Sequence, residues 1–471
     1  MIITQIYTNC LAQGAYYIES NGEVAIVDPL REVQDYIDRA TKNNASIKYI
    51  FETHFHADFV SGHVTLAQKT GAKIVYGPKA TTNFEAIIAT DNQVFKIGDI
   101  TITILHTPGH TLESSCLLLK DENGNDHALF SGDTLFLGDV GRPDLAQKGD
   151  FSEQDLAGFL YDSLRNKVMV LADDVIVYPA HGAGSACGKN LSKETVGTIG
   201  NQKETNYALR AGMTKNEFVA EVTNGLLPPP AYFPLNVKLN KEGYQDVEEV
   251  IKKSAKPLTV EQFEIIANET GAVILDVRHQ TDFVKGFIPQ AIFIGIDGGF
   301  APWVGALIKD TNQSILLVTP EGREEDTIRR LSRVGFDNVL GYLEGSFNAW
   351  KKAGKEIDLL PTVSAQFLED KIKENVLVFD VRKPGEYESD HMNVAENTPL
   401  DFLNNHLSEF PTHEAFYLHC AGGYRSVIAA SILKARGFHN VIDVAGGYAA
   451  IRKTTIERTT AVCPSTIKQT K

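Results

Sequence analysis

Four short motifs set the strongest limit on what this chain can fold into. THFHADF from Thr53, TPGH ending at His110, SGDT around Asp133 and PAHG around His181 each carry His or Asp. Each closes a β-forming run: KYIFETH, ITITILHTPGH, HALFSGDTLF and VIVYPAH. A single His or Asp at a strand end is ordinary. Four such ends, all bearing metal-ligating residue types, require a fold that gathers distant strand ends at one edge, as layered α/β sheets do. EVAIVDP, KIVYG and SSCLLLK supply further strands. REVQDYIDRATKNNA and SEQDLAGFLYDSLRNKVMV supply helices, the second with Ser152 as its N-cap. Helical stretches near 195–210 and 214–226 follow, the later one opened by a Thr214-x-x-Glu217 capping box. The proline-rich GLLPPPAYFPLN is then expected to be an extended connector that ends the first domain.

The rest of the chain repeats itself. AVILDVRHQTDF and NVLVFDVRKPGEY align with an offset of 104 residues between Asp276 and Asp380, and Arg278 matches Arg382. SILLVTPEGREED aligns with AFYLHCAGGYRSV, and LEGSFNAW with VAGGYAAI. Each copy reads as a parallel βα unit of roughly a hundred residues. Two copies do not make a solenoid, so two small separate domains are expected.

Composition narrows the function classes. A formal charge of −15 argues against nucleic acid, whose phosphates demand basic surface. No apolar run approaches a membrane span. The N-terminus MIITQIYTNCLAQ lacks a basic, apolar leader, so it is expected to be mature structure in a cytoplasmic protein. Five cysteines (Cys10, Cys116, Cys187, Cys420 and Cys463) are scattered and form no CxxC pair. That pattern argues against a disulfide scaffold and against a thiolate zinc site. Cys10, Cys116 and Cys463 read as packing or tail residues.

THFHADF, TPGHT, FSGDTLF and YPAHG resemble the metallo-β-lactamase superfamily, whose HxHxDH motif helps build two adjacent metal sites in an αββα sandwich. Here the second histidine after Asp58 is Phe59. The resemblance therefore implies that Asp58 and His181 cannot complete a second metal. The first site survives as His54, His110 and Asp133, with His56 adjacent. Two histidines and one carboxylate form the facial triad of non-haem iron(II) oxygenases. Within the superfamily the chain is similar to the persulfide dioxygenases, which oxidise a low-molecular-weight thiol persulfide with O₂ to sulfite. Their GRxD loop matches DVGRPDL, so Arg142, with Asp144 beside it, and Tyr178 are expected to bind substrate. Cys187, six residues after His181, is a candidate second sulfur site.

HCAGGYRS follows an apolar strand and precedes a helical run. Cys420, Ala421, Gly422, Gly423, Tyr424 and Arg425, with Ser426 after them, are expected to wrap a helix N-terminus as an anion nest that stabilises Cys420–S–S⁻, aided by the Arg425 cation. The loop resembles the rhodanese CxxGxR loop. The earlier copy has Pro320 opposite Cys420, with Glu321, Glu324 and Glu325 around it, and reads as a pseudo-rhodanese. A regulatory anion site at Arg323 is the weaker reading of that copy. The whole chain resembles the CstB-type multidomain enzymes of sulfide detoxification. The resemblance implies an α/β chain: a metallo-β-lactamase αββα sandwich over 1–245, a cysteine-less rhodanese-like domain over 246–358 and an active one over 359–471. It implies one Fe(II) per chain, small-molecule thiol persulfide and O₂ as partners, homo-oligomers, and no membrane or nucleic-acid partner. The competing reading is a zinc-dependent thioester hydrolase of the glyoxalase II type with accessory rhodanese domains.

Overall fold

The computed structural model describes residues 1–145, 151–189 and 191–459; Cys463 lies outside them. The chain divides into two compact units. The first comprises Met1–Val250 with Ser332–Gly335, and the second runs from Ile251 onward.

The first unit contains two six-stranded sheets. One has the order β1 (Ile2–Thr8), β2 (Gln13–Ser20), β3 (Glu23–Val27), β4 (Ser46–Glu52), β5 (Lys73–Tyr76), β6 (Ile87–Ile88). The other contains β7 (Val94–Ile97), β8 (Ile100–His106), β9 (Ser115–Lys120), β10 (Asp126–Gly132), β11 (Ile176–Pro179) and β12 (Gly197–Thr198), ordered β12-β11-β10-β9-β8-β7. The inner faces share one core, in which Ile18, Val27 and Phe51 meet Ile102, Leu117 and Phe130. The outer face of the first sheet packs on helices Gln34–Lys42 and His63–Thr70 through Tyr36, Ala40, Val64 and Leu66. The outer face of the second packs on helices Glu153–Ser163 and Lys215–Thr223 through Leu160 and Phe218. The layers are therefore αββα, as expected. Both predicted N-caps are present: Ser152 with Asp155 and Thr214 with Glu217 form capping boxes. β3 and β4 run parallel, as do β10 and β11, so their C-terminal ends open on the ligand loops.

The expected extended connector is corrected in its second half. Phe233–Glu242 is a helix, because Pro234 falls in its first turn, where a missing N–H costs nothing. This helix belongs to the first unit, and its buried Asn240 holds the loop after β4. Asn240 Nδ2 donates to the carbonyls of His56 and Phe59, each at 2.8 Å, and Oδ1 accepts from Ser61 N–H at 2.9 Å.

The second unit contains both copies of the repeat. β13 (Pro257–Leu258), β14 (Val273–Asp276), β15 (Ile292–Phe293), β16 (Ile315–Val318) and β17 (Val339–Leu343) form an all-parallel sheet ordered β13-β17-β16-β14-β15. β18 (Thr362–Val363), β19 (Leu377–Asp380), β20 (Ala395–Asn397), β21 (Phe416–His419) and β22 (Val441–Val444) repeat that order as β18-β22-β21-β19-β20. The aligned Asp–Arg pairs do the same work in each copy. Asp276 takes Arg278 and Asp380 takes Arg382, both at 2.6 Å. No helix among the described residues is long and apolar enough to cross a membrane.

Asn240→Ala leaves two buried carbonyls and one N–H without their partner. It is expected to destabilise the first unit by about 2 kcal/mol, read as a lower urea midpoint for the transition that reports that unit. An unchanged midpoint would show that Asn240 does not anchor the loop.

Candidate metal centre and cysteine loop

Asp28 closes β3 in the left-handed region, at φ 47°. From there its carboxylate accepts the Thr53 N–H and the Thr53 hydroxyl, both at 2.8 Å. The Thr53 oxygen, having donated its proton, lies 3.0 Å from His54 Nδ1 and accepts from it. That bond fixes the His54 tautomer and frees Nε2. His110 is set the same way: Nδ1 donates to the Arg142 carbonyl at 2.9 Å, freeing Nε2. The two free nitrogens lie 3.7 and 3.5 Å from Asp133 Oδ2, a buried oxygen with no hydrogen-bond partner. All three side chains are 2% exposed or less. Burial works against the Asp133 charge, but His181, His54 and His110 outweigh it and hold the carboxyl below the usual range. Burial, with His56 adding to it, keeps His54 neutral. An orphaned carboxylate oxygen facing two imidazole Nε2 atoms left free by the bonds at Nδ1, with all ligand atoms within 4.8 Å, fits a divalent transition metal.

The neighbouring residues are arranged around this triad. His181 Nδ1 donates to Asp133 Oδ1 at 2.7 Å, and its Nε2 lies 2.8 Å from Asp58 Oδ2. Burial opposes a His181 cation, yet the two carboxylates overcome it and raise its pKa well above the ordinary value. Phe59 is fully buried, its ring 4.4 Å from that of His56. His56 Nε2 lies 3.1 Å from Asp28 Oδ1 and 3.6 Å from Glu52 Oε2, and its ring is 4.2 Å from that of His54. Cys187 amends one expectation. With Asp58 and His181 it forms a second group whose ligand atoms lie within 4.8 Å, so the place left by Phe59 does not leave only two donors. Burial, with Asp58 and Asp133 adding to it, pushes the Cys187 thiol up.

The two residues expected to bind substrate both have protein neighbours. The Arg142 guanidinium is filled by protein acceptors: Asp144 through two bonds of 2.6 Å, and the carbonyls of Ala186 and Leu227. It is a strut, and its carbonyl orients His110. Tyr178, partly buried, stacks on Phe130 at 5.2 Å and packs on Tyr16 against the core between the sheets. Sequence reasoning missed Asp28, Glu52, Thr53 and Asn240. The one visible signal was the Asp-Pro that closes EVAIVDP.

In the second unit Cys420 follows β21 and is 1% exposed. Its Sγ accepts the Gly423 N–H at 3.1 Å. Gly423 caps helix Tyr424–Ala435 at φ +96°, where a side chain is strained. Of the two glycines expected to permit the turn, only Gly423 is left-handed. Arg425 forms a two-point pair with Glu386 at 2.6 and 2.8 Å, which locks its fork beside the loop. Ser426 is buried in the helix's first turn. The earlier copy fills its own loop: Glu324 Oε1 accepts the Gly322 N–H at 3.1 Å and the Thr319 hydroxyl at 3.2 Å. Arg323 is paired with Asp326 and Asp297, so it is no free anion site.

Residues 9–181 match the family model described as the metallo-beta-lactamase superfamily, and residues 259–353 and 364–454 match that of the rhodanese-like domain. A solved metallo-beta-lactamase from Staphylococcus aureus subsp. aureus COL is 30% identical. The alignment covers 72% of this chain and 98% of that one, with a TM-score of 0.65. A probable hydroxyacylglutathione hydrolase of Schizosaccharomyces pombe is 32% identical over 163 residues, 33% of this chain and 58% of that protein. A hydroxyacylglutathione hydrolase of Tolumonas auensis is 35% identical over 170 residues, 35% of this chain and 60% of that protein. The chain thus spans about three-fifths of the length of these two curated relatives.

His54→Ala, His110→Ala and Asp133→Ala are each expected to lose the metal on desalting. His56→Ala should retain it with affinity weakened about tenfold. Elemental analysis of the purified variants decides this, and metal retained by all three triad variants would refute the site.

Proposed function

The chain belongs to the metallo-β-lactamase superfamily and carries rhodanese-like domains behind its metal-site domain, and from that premise we propose that it is a persulfide dioxygenase–sulfurtransferase. The observation that carries this reading is the two-histidine, one-carboxylate set of His54, His110 and Asp133. That donor set suits ferrous iron with positions left open, one ion per chain. Iron bound there would supply O₂ activation toward the terminal sulfur of a thiol persulfide, the two oxygens of O₂ and one from water making up sulfite as the S–S bond breaks and the thiol is released with two protons.

The residues of the chain do the rest. Thr53 and the Arg142 carbonyl keep both histidines in the ligating tautomer. His181, held between Asp58 and Asp133, keeps the Asp133 carboxylate aimed and ionised. In the second unit Cys420 attacks the outer sulfur of a persulfide, the donor S–S bond breaks, and the donor leaves as thiolate. The Gly423 N–H already points at Cys420 Sγ and stabilises charge on it. Sulfite then attacks the outer sulfur of the Cys420 persulfide, releasing thiosulfate and restoring the Cys420 thiolate.

The names of the curated relatives and the Asp58–His181–Cys187 group favour one other reading, a binuclear zinc thioester hydrolase. Metal content measured together with O₂ uptake on a panel of thiol persulfides separates the two. The dioxygenase reading expects one iron per chain and O₂ consumption. Two zinc ions per chain with thioester hydrolysis and no O₂ uptake would overturn it.

Cys420→Ser is expected to keep O₂ uptake, to release mainly sulfite, and to lose sulfur transfer from thiosulfate to cyanide. Thiosulfate equal to that of the parent per O₂, after subtracting the spontaneous reaction of sulfite with persulfide, would overturn the relay. Phe59→His should retain iron and gain a second metal through Asp58 and His181; loss of all iron in that variant would show that the ring supports the triad by packing.

A further inference from the structure

The loop that carries Cys420 does not stand alone within the second unit. Tyr424, four residues after Cys420 and one before Arg425, reaches out of its own copy into the cysteine-less one. Its hydroxyl donates to the Gly295 carbonyl at 2.7 Å, and its ring lies 6.0 Å from that of Phe293. Ser431, two turns along the same helix, accepts the Phe293 N–H at 2.9 Å. The seat is shaped for the ring. A Cβ on Gly298 would lie 2.3 Å from Tyr424 Cζ, and one on Gly295 would lie 3.2 Å from Cε2. Neither glycine is in the left-handed region, so the backbone there accepts any residue. Room for the Tyr424 ring is what excludes a side chain at Gly298.

We infer that the cysteine-less copy is a template for the active loop: its Gly295–Gly298 turn seats Tyr424 and thereby holds Cys420 and Arg425 in the geometry that transfers sulfur. The two ends of the loop are then fixed independently. β21 delivers Cys420, and the Tyr424 seat sets the start of the helix whose N-terminus faces the sulfur. Its own Cys-position being Pro320 and its loop being filled by Glu324, the earlier copy keeps no chemistry that this role would disturb. The inference rests on the sulfurtransferase reading of Cys420, and Tyr424 is a positioning residue that acts through the loop.

The test uses the full chain. Gly298→Ala drives the ring from its seat from more than a hundred residues away in sequence. Gly299→Ala is the control, since its Cβ meets only Trp303 at an ordinary 3.4 Å. Gly298→Ala is expected to lower kcat for thiosulfate-to-cyanide transfer about tenfold or more with a smaller change in KM. Gly299→Ala should match the parent. Tyr424→Phe keeps the ring but loses the bond to Gly295, and should fall between. A second readout does not depend on activity: the rate of Cys420 alkylation by iodoacetamide, followed by peptide mapping. It should rise in Gly298→Ala and Tyr424→Ala as the buried sulfur is released. The double variant Gly298→Ala/Tyr424→Ala should be no worse than Tyr424→Ala alone, because both remove one interaction. Additive losses in that cycle, or parental alkylation and turnover in both Gly298→Ala and Tyr424→Phe, would overturn the template. A parent chain that transfers no sulfur, yet shows faster Cys420 alkylation in Gly298→Ala, would sink the sulfurtransferase reading and leave the seat standing.

Discussion

The metal-site domain hangs on one hydroxyl. Thr53 donates to Asp28 and accepts from His54, so a carboxylate at the end of β3 dictates which nitrogen of a histidine after β4 is free. Asp28 reaches it by adopting a left-handed conformation that costs a non-glycine residue energy. The parallel pairing of β3 with β4 sets the two strand ends side by side, and the sheet's core holds that register. His110 and Asp133 then approach from the opposite sheet. The triad is thus assembled across the sandwich from ends that packing alone brings together.

Around that triad the protein buries more charge than one metal needs. Asp28 and Glu52 face His56, while Asp58 and Asp133 face His181. Burial of Glu52 pushes its carboxyl well up, with Asp28 adding to the effect, so this part of the network holds its proton. The Ser61 hydroxyl donates to Glu52 and the Asn240 amide to the His56 carbonyl, while Glu52 Oε2, Asp58 Oδ1 and both His56 ring nitrogens stay buried without a hydrogen-bond partner. The fully buried Phe59 ring packs on one side of His56.

Much of this was legible in the sequence, and the failures have physical causes. His54, His110 and Asp133 were readable because ligand chemistry limits residue type and strand ends limit position. Thr53 and the Arg142 carbonyl were not, because a small hydroxyl and a backbone oxygen leave no pattern. The acceptors around Arg142 were not readable because sequence shows a charge and not its neighbours, although Asp144 two residues on was a clue. Pro234 was taken as a breaker when its place in a first turn made it harmless. The repeat was plain from its Asp–Arg pairs. The carboxylate of Glu324 folding back into its own empty loop needed coordinates. So did the reach of Tyr424 into the neighbouring copy.

The helix Phe233–Glu242 has a consequence for the order of events at the ribosome. A chain synthesised from its N-terminus has all three triad residues out well before Asn240 appears. Until then the carbonyls of His56 and Phe59 and the N–H of Ser61 have only water for partners, and that part of the loop after β4 lacks one of its clamps. Setting of the His56–Ser61 stretch in its final geometry is therefore a late event in biosynthesis. Its residues are made before the helix that fixes them, and the loop tightens only when that helix docks.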